Sequence, residues 1–81
     1  MSSDSLADRL HALCRRVFRR SFRDGNIVAA EVEEWDSLSH IRLVLEMESE
    51  FGIEIEPKYI PRLYSSTEEI LAFLSEKGVN E

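Results

Sequence analysis

Taken at about 100° per residue, the apolar positions of this chain fall into four amphipathic stretches separated by turn signals. The first covers about residues 4–23, where Leu6, Leu10, Leu13, Val17, Phe18 and Phe22 recur three and four apart, joined by Ala7 and Cys14. All six arginines of this stretch fall on the opposite half, Ser2, Ser3 or Asp4 can cap it, and Gly25-Asn26 can end it after Asp24. A second helix is expected over 37–51, opened by Asp36 as N-cap and stopped by Gly52. Its apolar arc takes in Leu38, Ile41, Val44, Leu45 and Phe51, opposed by Ser39, Arg42, Glu46, Ser49 and Glu50. Leu43 and Met47 lie at the edge of that arc and Glu48 inside it, so this helix is expected to bury one side and offer Leu43 and Met47 to a partner.

Between these helices, residues 24–36 form a long loop whose anchors are Ile27, Val28, Val32 and Trp35. After Gly52, Ile53 and Ile55 alternate with Glu54 and Glu56 over too short a run for a strand, and read as an extended connection. Pro57 can open a short third helix within 57–64, and Pro61 limits it to one or two turns. Ser65 with Glu68 and Ser66 with Glu69 both satisfy the capping-box spacing, so a fourth helix is expected over about 66–77, with Gly78 as its C-cap. Three main helices plus a short third one predict an all-α fold, a small antiparallel four-helix bundle in a single domain over 1–81.

Composition narrows the class. With 43% hydrophobic residues the chain is too apolar to be disordered, and no run approaches a membrane span, so stable membrane insertion is not expected. One cysteine, Cys14, allows no internal disulfide, and the polar start, Met1 to Asp8, has no signal-peptide character; both fit a cytoplasmic protein. The charge is uneven: residues 1–23 hold six arginines against Asp4 and Asp8, while the remainder holds fourteen acids against four bases. The arginine face could meet an acidic partner, but no aromatic lies among the arginines to stack on bases, so nucleic-acid binding is not expected.

Candidate chemistry centres on Ser37. Its hydroxyl stands at a helix mouth near the positive end of the macrodipole, where a phosphate ester is tolerated. His40 comes three residues later, yet no nucleophile elbow and no third residue complete a hydrolase site. His11 and His40 are too isolated for a metal site. A special hydroxyl with nothing to activate it suits the substrate of a modifying enzyme, and the chain is read as non-catalytic.

Asp36-Ser37-Leu38, the apolar positions after it, the Glu50-Phe51 pair and the Ile53-Glu54-Ile55 segment together resemble the acyl carrier protein family, over roughly residues 4–77. The resemblance implies a 4'-phosphopantetheine arm, taken from coenzyme A and attached covalently at Ser37 by a phosphopantetheinyl transferase. It implies a freestanding monomeric carrier that holds acyl groups as thioesters and delivers them to acyl-loading, acyl-transfer or condensing enzymes. Partner contacts are implied at Asp36, Leu38, Arg42, Glu46, Met47 and Glu50, with acidic residues of the second helix meeting basic patches. Ser39, Arg42 and Ser49 replace residues that are acidic in many fatty-acid carriers, which points to a specialised lipid, polyketide or related biosynthetic pathway. Glu34-Trp35 stands where many members carry a glycine-containing run, and Thr67 aligns with a branched apolar position near the arm. An aminoacyl or peptidyl carrier shares this pattern, although the Gly-Gly or Gly-Asp lead-in common there is absent. A helical interaction module using the arginine face is the reading from another class.

Overall fold

The computed structural model describes residues 5–22 and 25–79. Helix α1 spans Leu6–Phe18, α2 Ser37–Phe51, α3 Ile60–Leu63 and α4 Thr67–Glu76, with single 3-10 turns at Ala29–Glu31 and Pro57–Tyr59. Among the described residues there is no strand, and α1 packs against both α2 and α4 while α3 packs against α4. The result is an all-helical domain, a small bundle. No helix of the described residues is long and apolar enough to cross a membrane.

Helix α1 is shorter than its periodicity suggests. Ser5 is its cap, accepting the Asp8 N–H at 3.1 Å while the Asp8 carboxylate takes the Ser5 N–H at 3.4 Å. The expected caps Ser2, Ser3 and Asp4, and the expected end at Asp24, lie outside the described residues. The helix stops at Phe18 because Arg19 turns left-handed, with φ 58°. For a non-glycine residue that conformation costs about 1–2 kcal/mol. The chain then folds Phe22 back edge-on against Phe18, centroids 6.1 Å apart, so Phe22 keeps the helical period in sequence while packing from outside the helix.

Helix α2 opens on Asp36 and closes on Gly52, whose φ of 65° is the left-handed geometry that glycine adopts without strain. Which side it buries differs from the expectation. His40, Leu43, Val44 and Met47 are the buried residues, whereas Leu38 is 73%, Leu45 59% and Ile41 42% exposed. The apolar arc of this helix is wider than a core-facing stripe, so the apolar residues alone leave its rotation open. His40, counted as polar, decides it: buried at position i, it carries i+3, i+4 and i+7 inward with it.

The long loop crosses the core. Ile27, Val32 and Trp35 are buried, and Val28 forms an isolated antiparallel bridge with Ser66. Thr67 fixes the far end. Its hydroxyl accepts the Ile27 N–H at 2.9 Å and donates to Asn26 Oδ1 at 3.1 Å, while its own N–H reaches the Ile27 carbonyl at 2.8 Å. A valine of the same shape would leave the buried Ile27 amide without that acceptor, which accounts for threonine at a position where the resemblance suggests an aliphatic side chain. Of the two candidate caps for α4, Ser66 takes the role and accepts the Glu69 N–H at 3.3 Å.

The third helix is as short as expected, four residues over Ile60–Leu63. Pro61 sits in the first turn of α3, where its missing N–H is not needed, and the 3-10 turn begun by Pro57 leads into it. At the other end of the chain α4 finishes at Glu76 with Lys77 as cap, and Gly78 takes the left-handed position one residue further on, φ 82°. Val79 N–H then closes back to the Leu74 carbonyl at 2.9 Å.

Candidate functional site around Ser37

Among the described residues three helices have ten or more residues, and each opens differently. Helix α1 begins on Leu6 and α4 on Thr67, which is 1% exposed, whereas α2 begins on Ser37, which is exposed. The Ser37 hydroxyl has no hydrogen-bond partner among the described residues. Asp36 beside it accepts the Ser39 N–H at 2.9 Å, and that bond holds its carboxyl below the usual carboxylate range. The aspartate is thereby committed to capping. The neighbouring oxygen is left open to another molecule.

His40 is turned away from Ser37 into the core, where it is 2% exposed. The Trp35 Nε1–H donates to its Nδ1 at 3.1 Å, and its Nε2 lies 2.7 Å from the Ile60 carbonyl. Since indole can only donate, Nδ1 must accept and the ring proton must sit on Nε2, giving it to Ile60. Tyr64 stacks on the imidazole at 4.8 Å and donates its hydroxyl to the Trp35 carbonyl at 2.9 Å. Phe18 covers the far side of Trp35, centroids 5.1 Å apart. This knot ties the loop, α2 and α3 together immediately before Asp36-Ser37. With both ring nitrogens committed, His40 is no base for the serine.

Burial lowers the His40 pKa from its ordinary 6.5. Above that value both folded and unfolded chains carry neutral imidazole, so the residue makes stability independent of pH there. Below it the unfolded chain binds the extra proton first, and stability falls until the native ring protonates too. Urea midpoints should therefore decline as the pH falls below about 6.5, before the carboxylates begin to titrate. His40→Gln should flatten that decline; an unchanged slope in the variant would assign it elsewhere.

The carboxylates expected to face partners are occupied within the fold. Glu46 pairs with Arg16 at 2.6 Å and Glu50 with Arg9 at 3.1 Å, and Arg20 of the first connection reaches Glu34 at 2.9 Å. Arg9 and Arg16 of α1 therefore hold α2, and Arg20 holds the loop, with Arg9 also lying 4.8 Å over the Phe51 ring, while Arg15 and Arg19 are exposed. Glu48, whose angle on the wheel is near the core, accepts the Ile55 N–H at 2.8 Å and fastens the segment after α2.

Met47 is fully buried, so the expectation that it contacts partners is corrected, and so is the exposure expected of Leu43. Leu38 and Arg42 are exposed. Ile41 and Leu45, read as core, join them on the outside.

The chain matches no family model, no curated protein and no solved structure. Its function is therefore inferred from the geometry of the site and from the resemblance that its residues carry. Among the described residues, no group of three His, Cys, Asp or Glu side chains is placed to hold a metal ion. The surroundings of Ser37 fit a phosphopantetheine arm in two respects. The oxygen is accessible without any internal bond to break, and the first turn of α2 presents backbone amides beyond the one that Asp36 caps.

Proposed function

We propose that this chain is an acyl carrier protein, loaded with 4'-phosphopantetheine at Ser37 by a phosphopantetheinyl transferase and serving acyl-loading, acyl-transfer or condensing enzymes of a specialised lipid, polyketide or related pathway. The observation that carries the reading is the exposed, unpartnered Ser37 hydroxyl at the first position of α2, inside the Asp36-Ser37-Leu38 motif. The arm supplies a thiol that holds the acyl group as a thioester. The protein's own residues perform positioning. Asp36 caps the helix, and the Trp35–His40–Tyr64 knot fixes the chain entering it. Aminoacyl cargo would use the same residues. An interaction module working through the arginine face would have Arg15 and Arg19 to use, since Arg9, Arg16 and Arg20 are paired with carboxylates of the same chain.

Cys14 gives this reading a clean test. It is fully buried, and burial pushes its thiol pKa up to about 12, so the native chain has no thiolate to offer at neutral pH. A thiol reagent under native conditions should therefore find almost nothing in the bare protein. After incubation with coenzyme A and a broad-specificity phosphopantetheinyl transferase it should find about one thiol per chain. No gain in reactive thiol would count against the arm.

A further inference from the structure

One residue holds the chain on both sides of Ser37. The His40 N–H makes the first backbone bond of α2, to the Asp36 carbonyl at 2.8 Å, and the His40 ring accepts the Trp35 indole N–H at 3.1 Å. That second bond works in one protonation state only. Indole has a donor and no acceptor, while the Ile60 carbonyl at 2.7 Å takes the proton on Nε2, so Nδ1 must be bare. A proton added at Nδ1 sets two N–H groups against each other in the core, where His40 and Trp35 are both buried. The groups facing the ring offer no compensation. Trp35 comes from the loop, the Ile60 carbonyl from α3, and Tyr64, a neutral phenol whose hydroxyl is given to the Trp35 carbonyl, from the end of α3. Among the described residues no carboxylate bonds to the imidazole.

We infer that His40 is a proton-operated latch: taking up a proton releases Trp35 and opens the stretch from Val32 to His40, with Ser37 inside it, while the remainder of the bundle stays folded. The packing of α1 on α4 and the clasp of Thr67 on Ile27 do not use the ring, so they survive its release. The carboxylates on either side of Trp35 do not supply the response. The Arg20 guanidinium holds Glu34, and the Ser39 N–H holds Asp36, below the usual carboxylate range, so both stay ionised. This inference goes beyond the carrier reading and stands without it, because the oxygen is repositioned whatever group it bears.

Native-state hydrogen exchange on the full chain tests the latch, read by NMR at the Trp35 indole N–H and the His40 amide and corrected for intrinsic rates. An opened ring titrates at its ordinary value, so the open fraction should grow about tenfold between about pH 7.5 and about pH 5.5. Protection at the two sites should fall by that factor in the wild type and stay within about twofold in His40→Gln, which keeps His11 as an internal control. The wild type alone supplies the second arm. Exchange at Trp35 and His40 should ignore low urea, as a local opening does, whereas the buried interior of α4 at Phe73 and Leu74 should follow the urea dependence of global unfolding. An equal fall in His40→Gln overturns the latch, and so does exchange at Trp35 and His40 that shares the protection and urea slope of Phe73 and Leu74. Neither result touches the carrier reading, which the labelling of Ser37 decides separately.

Discussion

Leu43→Ala should destabilise the domain by about 2–5 kcal/mol, and Leu45→Ala, two residues further along the same helix, by less than about 0.5 kcal/mol. Both are leucines in the middle of α2, with the same propensity and similar distances from the helix ends. They differ in direction: Leu43 is wholly buried and Leu45 is 59% exposed. Truncating Leu43 removes contacts on all sides and leaves a cavity between α2 and its neighbours, whereas truncating Leu45 removes apolar surface that already faces water. Urea unfolding monitored by circular dichroism reads the difference directly, as a midpoint that collapses in one variant and holds in the other. Equal losses would place both side chains in the core and return α2 to the rotation that its apolar arc alone suggests.

Trp35→Ala is expected to be the other severe change, costing about 3–5 kcal/mol. The indole is 2% exposed and has several separate partners: Phe18 against its face, His40 through its N–H, and Tyr64, which holds its carbonyl and stacks at 6.4 Å. Removing it opens a large void and leaves the His40 Nδ1 acceptor buried with no donor. Trp35→Phe separates the two contributions, since it fills most of the space but cannot donate, and should cost about 1–3 kcal/mol. Thermal unfolding of the two variants ranks them; a phenylalanine variant as unstable as the alanine one would mean that the hydrogen bond to His40 outweighs the packing.

Much of the fold can be read from local chemistry. Asp36 and Gly52 bound α2 because a cap and a left-handed glycine act within a turn of where they stand, and Ser66 with Glu69 marks α4 in the same way. The loop anchors Ile27, Val32 and Trp35 are legible because a long apolar-studded loop must bury its large side chains somewhere. The features that escape sequence reading depend on partners distant along the chain. Arg9 finds Glu50 and Arg16 finds Glu46 across a helix–helix interface, so an arginine stripe and an acidic helix that look like two solvent faces cancel each other. His40 enters the core because Trp35 and Ile60 satisfy both its nitrogens, and only their joint presence makes a histidine easier to bury than Ile41 or Leu45. The end of α1 is hidden for a related reason: Phe22 continues the helical period, but a left-handed Arg19 redirects it against Phe18 from another angle. At the site, the accessibility of Ser37 is foreshadowed by the cap beside it, whereas the neutralisation of the surrounding acidic charge cannot be deduced from the second helix alone.

The central claim is that one oxygen atom, on Ser37, is a covalent attachment point, and intact mass spectrometry tests it most directly. Wild type and Ser37→Ala, both folded by circular dichroism, are incubated with coenzyme A and a phosphopantetheinyl transferase. Wild type should gain the mass of a single phosphopantetheine group, located by peptide mapping to the segment containing Ser37, and Ser37→Ala should gain none. A wild type of unchanged mass, or an alanine variant modified as readily as wild type, would contradict the claim.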